Sequence, residues 1–337
     1  METHNNNDLI SVVVPVRNEE KYIESFIQSI LKQDFPQKNM EVIFVDGLST
    51  DGTLGTLKKY RDLYNFYIYN NQDKTVQHAL NIGIKNARGG IIIRMDVHAE
   101  YSEDYVAKCV EYLKKTDAKN VGGPMIARGK TPIQNVIAAA YHSKFALGGG
   151  KFHDENFEGY ADTVYLGAFR KETLLNLNLY DENLPRSEDD DLNFRIIESG
   201  GKIYVTPQIK SIYYPRSTYG DLFAQYYEYG FWKVAVIKKH HKPARISHLI
   251  PVSFVLFIFL FGFLAFFSGT IKIAYCSILC LYILLDAYFS FRNTKVNSIK
   301  DKLRLMWVHF ILHFSYGLGF FMGIFEFFIK KAYLLKS

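Results

Sequence analysis

The chain has 337 residues, of which 48% are hydrophobic and 22% charged, and its formal net charge is +6. This is the composition of a globular protein, and three cysteines exclude a disulfide framework. The basic residues form no stripe within a folded motif, which argues against a nucleic-acid partner. Up to about His248 the chain mixes charged and apolar residues, and beyond that point it becomes apolar and aromatic.

Strand and helix patterns alternate along the first hundred residues. In chain order they predict a strand over Leu9–Val16, a helix over Glu19–Lys32, a strand over Glu41–Val45, a helix over Thr53–Tyr60, a strand over Phe66–Tyr69, a helix over Val76–Ala87 and a strand over Gly90–Met95. This alternation predicts an α/β fold with a mostly parallel sheet, in which ligands bind beyond the carboxyl ends of the strands. Asn18, Asp46 and Asp96 fall at such ends and are the first functional indication.

A further helix is predicted over Pro132–Leu147, with its apolar residues packed inside the domain. It is followed by Gly148–Gly150, which we interpret as a flexible hinge.

Two uncharged or nearly uncharged runs are long enough to cross a bilayer, Leu249–Phe267 and Ile273–Phe291. Met306–Ile329 is a third candidate, weakened by two histidines and one glutamate. The sequence therefore predicts a catalytic domain over residues 1–247 and a membrane region over residues 248–337 with two or three transmembrane helices. Gly319 and Gly323 form a G-x-x-x-G pair that lets helices pack closely.

Basic residues flank the apolar runs and predict their orientation. They are Lys238, Lys239, Lys242 and Arg245 before the first run, and Arg292, Lys295, Lys300, Lys302 and Arg304 after the second. Short basic loops stay in the cytoplasm, and the polar segment Glu2–Asp8 contains no apolar signal, so we expect a cytoplasmic domain on the inner membrane. A third full span would place Lys330, Lys331 and Lys336 outside, and a re-entrant segment bending at Gly317 and Gly319 is the alternative.

Four motifs appear in the order found in glycosyltransferase family 2, and the chain resembles that family over roughly residues 9–235. They are Val14-Pro15-Val16-Arg17-Asn18-Glu19, Val45-Asp46-Gly47-Leu48-Ser49-Thr50-Asp51-Gly52-Thr53, Met95-Asp96-Val97-His98 and Ser187-Glu188-Asp189. The resemblance implies a GT-A fold, meaning the Rossmann-like sheet of nucleotide-diphospho-sugar transferases. Gly47 departs from the pattern, because the family has a second aspartate there, so one nucleoside contact is absent or supplied by another residue.

A closer resemblance is to the succinoglycan-biosynthesis ExoA-type glucosyltransferases. It rests on Arg94 to Tyr101, on Asp162 to Arg170 and on Tyr229-Gly230-Phe231-Trp232-Lys233. It implies glucose as the transferred sugar.

The pair Asp96 and His98 stands where the family has its D-x-D motif. Two side chains two residues apart on an extended segment point the same way, so both can face one ion that bridges the diphosphate. The carboxylate favours Mg²⁺ or Mn²⁺, and the imidazole favours Mn²⁺. The alternative for His98 is a polar loop residue.

The resemblance assigns the donor nucleotide to Pro15, Asn18, Glu19 and Asp46, with Asp96 at the diphosphate. The alternative for Glu19 is an acid at a helix N-terminus, favoured by the helix dipole. Asp51 is interpreted as a turn or cap residue.

The acidic run Glu188–Asp191 begins a predicted helix. Crowding raises the pKa of a carboxylate, which suits a general base, and the resemblance assigns that role to Asp189 within the pair Glu188-Asp189. Asp191 and Arg195 have the spacing of a helix-surface ion pair. Trp232 either stacks on a sugar or packs against the apolar helices.

Together these features predict an inverting transfer from a UDP-sugar to a lipid-linked or polysaccharide-precursor acceptor. A processive polysaccharide synthase is the first alternative, disfavoured because Gln225 is not followed by a complete Q-x-x-R-W motif. A non-catalytic membrane assembly protein is the second. A nucleotidyltransferase is the third, and it would need a glycine-rich phosphate loop after the first strand.

Overall fold

The structure is a computed structural model that describes residues 9–61, 64–147, 150–243 and 245–330. Three features named above lie partly or wholly outside these ranges. They are the polar N-terminal segment, Gly148 and Gly149 of the predicted hinge, and the basic residues Lys331 and Lys336.

The strands of the described residues are β1 (Ile10–Val16), β2 (Met40–Asp46), β3 (Phe66–Asn70), β4 (Ile91–Arg94), β5 (Ala99–Tyr101), β6 (Asn120–Gly123), β7 (Ile126–Ala127), β8 (Gly159–Ala161), β9 (Tyr165–Arg170), β10 (Ile203–Val205) and β11 (Ser211–Tyr213). The α-helices are α1 (Ile23–Leu31), α2 (Thr53–Arg61), α3 (Val76–Asn86), α4 (Tyr105–Lys115), α5 (Pro132–Tyr141), α6 (Lys144–Leu147), α7 (Lys171–Asn176), α8 (Glu188–Glu198), α9 (Tyr219–His240), α10 (Ile250–Leu256), α11 (Gly262–Leu264), α12 (Gly269–Arg292) and α13 (Ile299–Ile324).

The seven elements predicted for the first hundred residues are all present, with the largest shift at the start of α1, which begins at Ile23 rather than Glu19. The helix predicted over Pro132–Leu147 is interrupted at His142 and Ser143, so it forms α5 and α6.

The main sheet has the strand order β3-β2-β1-β4-β9-β6-β10-β8. Its first four strands run parallel, and β9 is antiparallel to both of its neighbours. The prediction of a mostly parallel α/β sheet is therefore confirmed. Val16, the last residue of β1, lies opposite Asp46, the last residue of β2, so polar residues following these strands emerge at one edge.

Helices cover both faces of this sheet, as the alternation along β1 requires. Val12 and Val14 face one core, which includes the apolar side of α1, whereas Val13 faces the other core, which includes Leu80 of α3. Buried on both faces, β1 is a nearly continuous apolar run, as is usual for a parallel strand.

The chain divides into two compact units. The first comprises Met1–Ile126 and Lys151–Tyr213, and the second comprises Ala127–Gly150 and Tyr214–Ser337. The boundary that composition predicts after residue 247 falls inside the second unit, because α5, α6 and α9 pack against the apolar helix α13.

Three helical segments of the second unit are long and apolar enough to cross a membrane: Ile246–Leu264, Gly269–Arg292 and Ile299–Lys330. The first two expose most of their apolar surface, whereas half of the apolar window of the third is buried. The bend considered at Gly317 and Gly319 is wrong, because α13 runs unbroken from Ile299 to Ile324.

Polar side chains in these helices find partners inside the second unit. His309 Nδ1 lies 2.6 Å from Asp286 Oδ1, and both side chains are buried. His313 Nε2 lies 3.0 Å from the carbonyl oxygen of Phe145, which can only accept, so this nitrogen carries the proton. His313 Nδ1 then accepts from the Tyr282 hydroxyl at 3.0 Å. The histidines that weaken the third segment as a membrane span therefore join it to neighbouring elements.

Glycines allow α9 and α13 to approach closely. A Cβ built on Gly319 would lie 2.0 Å from the carbonyl oxygen of Tyr227, and one built on Gly230 would lie 2.0 Å from that of Tyr316. Gly323 makes a similar approach to Phe231, at 2.6 Å. The close packing predicted for the G-x-x-x-G pair is confirmed in this contact.

We expect Gly319→Ala to destabilise the second unit by about 1–3 kcal/mol, because the added methyl group forces α9 and α13 apart. Gly269→Ala is the matched control, since a Cβ there meets nothing within 4 Å. Thermal unfolding of both variants in detergent measures the effect. Equal midpoints would contradict the proposed tightness of the contact.

Candidate active site

Ser49 connects the ends of β1 and β2. The Asp46 carboxylate is buried and accepts from the Ser49 hydroxyl at 2.5 Å and from the Ser49 N–H at 3.1 Å. The Asn18 N–H donates to the same hydroxyl at 2.9 Å, and Asn18 Oδ1 accepts from the Thr50 N–H at 2.9 Å. These bonds fix the loop after β2 against the residue that follows β1.

Asp51 holds the start of α2, as the sequence predicts. Its Oδ1 accepts from the Thr53 hydroxyl at 2.6 Å and from the Thr53 N–H at 3.1 Å, and its Oδ2 accepts from the Glu20 N–H at 3.1 Å. The Thr53 hydroxyl bond is the main cause that lowers the pKa of Asp51. Thr53 Oγ1 also accepts from the Glu19 N–H at 2.8 Å, so the same turn positions Glu19.

Asp96 and His98 follow β4 on a turn, not on the extended segment that the sequence predicts. The Ala99 N–H donates to the Asp96 carbonyl oxygen at 3.2 Å and closes this turn. The Asp96 N–H donates to the Tyr101 hydroxyl at 2.7 Å, and that hydroxyl lies 3.0 Å from the Asp96 carbonyl oxygen. His98 is half exposed, with Nδ1 3.6 Å from Glu19 Oε1.

These two side chains fit a divalent cation only as part of a larger coordination set. Burial alone would raise the pKa of Asp96, but Arg94 and His98 lower it, so Asp96 is ionised at neutral pH. Among the described residues, no group of three or more His, Cys, Asp or Glu side chains is arranged to hold a metal ion. A carboxylate and an imidazole leave room for diphosphate oxygens, which is how Mg²⁺ is usually bound beside phosphates.

One buried guanidinium joins the end of β4 to the start of α8. Arg94 Nε lies 3.1 Å from Asp96 Oδ1, and Arg94 Nη1 lies 2.8 Å from both carboxylate oxygens of Asp189. The same Nη1 is 3.4 Å from Glu188 Oε1. Asp96 is therefore brought together with Glu188 and Asp189, which follow it by more than ninety residues in sequence.

Asp189 has the electrostatic character expected of a base. Burial is the main cause that raises its pKa to about 7, and Glu188 adds to the rise while Arg94 opposes it. The direction agrees with the sequence prediction, but the first cause is burial rather than crowding by neighbouring acids.

Asp191 plays a different part in the acidic run. It is fully buried, and its Oδ2 lies 2.8 Å from Arg195 Nη2, as the i, i+4 spacing predicts. This pair belongs to the packing of α8 and not to the cluster around Arg94.

Two further predicted site residues lie within regular elements. Pro15 lies within β1 opposite Val45 of β2. Trp232 lies on α9 in the second unit, where its ring packs against Phe231 and Phe327. This is the packing interpretation of Trp232, and its sugar-stacking role stays a prediction.

Sequence reasoning did not assign functions to Arg94, Ser49 or Tyr101. Arg94 and Tyr101 stand in a segment quoted for family resemblance, and Ser49 stands in a motif. The signal that the sequence carries for Arg94 is a charged residue at the end of an apolar strand, two residues before Asp96.

Comparison with known proteins identifies the family. The family model for glycosyl transferase family 2 matches residues 11–170. A glucuronosyltransferase of Methanococcus voltae, named for acting on dolichyl N-acetyl-α-D-glucosaminyl phosphate, is 31% identical over 74% of this chain and 79% of its own length. The succinoglycan biosynthesis protein ExoA of Rhizobium meliloti is 29% identical over 72% of this chain and 74% of its own. The chain belongs to glycosyl transferase family 2, and it is a glycosyltransferase of glycan synthesis.

Solved structures agree on the fold. The mannosyltransferase PcManGT from Pyrobaculum calidifontis, in complex with GDP-Man and Mn²⁺, superposes with a TM-score of 0.63 at 19% identity over 91% of this chain and 87% of its own. The solved chain of TarS from Staphylococcus aureus superposes with a TM-score of 0.50 at 18% identity, over 93% of this chain and 90% of its own length. The predicted GT-A fold is confirmed.

Proposed function

We propose that this glycosyltransferase moves a sugar, glucose by its ExoA-type resemblance, from a UDP-sugar to a lipid-linked or polysaccharide-precursor acceptor with inversion. The observation that carries the proposal is the convergence of Asp96, Glu188 and Asp189 on Arg94. A donor-side acid and a candidate base thus stand at one edge of the sheet, where parallel α/β proteins bind ligands.

The residues suit a single displacement. Asp189 accepts the proton of the acceptor hydroxyl as that oxygen forms a bond to the anomeric carbon, and the bond from that carbon to the diphosphate oxygen breaks. A base with a pKa near 7 is well matched to this task at neutral pH. The neighbouring carboxylate of Glu188 helps to raise the pKa of Asp189, because it disfavours a second negative charge.

Asp96 and His98 would hold a divalent cation, Mn²⁺ or Mg²⁺, and that ion supplies charge stabilisation for the leaving diphosphate. The family relation and the donor set favour this assignment, and PcManGT was solved with Mn²⁺. The imidazole favours Mn²⁺ over Mg²⁺.

The nucleoside belongs to Pro15, Asn18, Glu19 and Asp46 in this proposal. Asp46 is buried and already accepts two hydrogen bonds from Ser49, so its part is to hold the loop that the base and ribose contact. Glu19 has a partly exposed carboxylate beside His98 and is the better direct partner for a hydroxyl.

A membrane-held acceptor follows from the three apolar helices and from the relative named for a dolichyl-linked substrate. In this proposal the catalytic domain lies on the cytoplasmic side of the inner membrane, and the basic residues that flank the apolar helices support that orientation. Addition of a single sugar is favoured over processive synthesis because the Q-x-x-R-W motif is incomplete.

We expect Asp189→Asn to reduce transfer by at least about 100-fold while UDP binding persists, because the proton acceptor is lost and the residues assigned to the nucleotide are unchanged. Sugar transfer and UDP affinity, measured on purified protein in detergent, separate the two effects. Asp190→Asn, which makes the same change one residue on, is the control and keeps most activity. Near-normal transfer by Asp189→Asn would refute the assignment of the base.

The pH dependence has a defined sign. Because the pKa of Asp189 is raised to about 7, the base is protonated below that pH, so turnover should rise as pH increases through about 7 and level off above it. A profile that is flat between pH 5 and 9 would exclude Asp189 as the titrating base.

Asp96→Ala and chelation with EDTA should each remove metal-dependent UDP binding and transfer, because the carboxylate and the ion act together. His98→Ala should keep Mg²⁺-supported activity and lose the preference for Mn²⁺. Glu100→Ala, an exposed acid on β5, is the control. Full activity in excess EDTA would contradict the metal site.

A further inference from the structure

Arg94 is a buried cation that the reaction as described does not use. Its side chain is 8% exposed, and three carboxylates, those of Asp96, Glu188 and Asp189, lie within 3.4 Å of it. One positive charge thus faces three acids, of which Asp189, with a pKa raised to about 7, is partly protonated at neutral pH. Placing several acids around one largely buried cation is costly, so the arrangement calls for an explanation.

We propose that Arg94 is a positioning residue that couples the donor site to the general base, by holding Asp96 with one edge of its guanidinium and Asp189 with another. This inference rests on the proposed function, because it assumes that Asp96 serves the donor and Asp189 the acceptor.

Different nitrogen atoms serve the two acids. Nε and Nη2 face Asp96, at 3.1 Å from Oδ1 and 3.4 Å from Oδ2, whereas Nη1 faces Asp189 at 2.8 Å from each oxygen. Nη1 thus lies midway between the two oxygens of Asp189, so the guanidinium holds this carboxylate through one nitrogen while its other two nitrogens face Asp96. A planar guanidinium can hold two acids in fixed directions in this way, whereas the single nitrogen of lysine cannot.

The two acids place opposite demands on this cation. The carboxylate of Asp96 would bind a divalent ion, and Arg94 competes with that ion because it already pairs with the same carboxylate. Asp189 needs a nearby positive charge, because burial works against its ionised form. Removing the guanidinium should therefore favour cation binding at Asp96 and impair the base at Asp189, so the two effects have opposite signs.

Several charged groups set the ionisation of Asp189. Asp96 lies beyond β4, Glu188 and Asp190 stand on its own helix, and Tyr180 lies in the preceding loop. Glu188, Asp96 and Asp190 raise the pKa of Asp189, whereas Arg94, 2.8 Å from its carboxylate, lowers it. Without Arg94, the pH at which turnover is half-maximal should move upward.

The test compares Arg94→Gln and Arg94→Lys with the wild type, using calorimetric binding of UDP with Mn²⁺ and the pH profile of turnover. Arg94→Gln should bind metal and UDP at least as tightly as the wild type, lose about 100-fold in turnover, as expected for a disabled base, and show a midpoint at higher pH. Arg94→Lys keeps the positive charge but cannot contact Asp96 and Asp189 with separate nitrogens. The pH midpoint of its turnover should therefore stay near that of the wild type, while its turnover is intermediate.

Arg195→Gln is the matched control, because it removes a different arginine–aspartate pair of α8. It should lower the unfolding midpoint without moving the pH profile. If Arg94→Gln weakens UDP binding and turnover together with an unshifted profile, Arg94 is merely structural and the coupling is refuted. If the wild type is fully active in excess EDTA, the proposed metal site fails instead, and if Asp189→Asn remains active, the proposed base fails. Thermal unfolding of Arg94→Lys and of the control shows whether a loss of turnover comes from a folding defect.

Discussion

The acids at one edge of the sheet share a single counter-ion, Arg94, and the site in the first unit depends on this shared contact. Asp96 follows β4 and Asp189 lies in the first turn of α8, and Arg94 stands between two carboxylates that would otherwise repel each other. The cation therefore ties a strand end to a helix start that is far away in sequence. The parallel register of β1 and β2, which sets Val16 opposite Asp46, brings the loop after β2, to which we assign the nucleoside, to the carboxyl end of the same sheet.

Much of this arrangement could be predicted from the sequence, because strand periodicity and polar strand ends are local properties. The Val-rich run of β1 and the acids Asp46 and Asp96 indicated a parallel sheet with a site at its edge. The partners of Arg94 could not be predicted in the same way, since they depend on where α8 meets β4. The turn at Asp96–His98 was also missed, because the Tyr101 hydroxyl that fixes it comes from β5, a strand of three residues.

In the second unit, too, the sequence pattern predicts which elements form but not how they pack. Hydropathy identified three apolar segments, but it could not show that α13 is half buried while the other two are exposed. The glycine spacing was the better guide, because Gly319 and Gly323 mark the side of α13 that meets α9. His309 and His313, which count against a membrane span by composition, are bonded to protein groups, so composition alone overstates their cost.

Backbone conformation at the catalytic unit supports the view that its loops are preformed. Asn18, Leu48 and Ser187 have φ angles of 55°, 56° and 62°. These angles lie in the left-handed region, which is unfavourable for most residues that carry a Cβ atom. Each lies within two residues of an acid assigned to the site: Glu19, Asp46 or Glu188. Asparagine tolerates this region, so the strain of about 1–2 kcal/mol per residue applies to Leu48 and Ser187. Such strain persists only where surrounding bonds fix the conformation, and Ser49 holds the loop that contains Leu48. The folded structure thus holds the acids in place before any substrate binds. Less conformational entropy of these residues is then lost at the time of reaction.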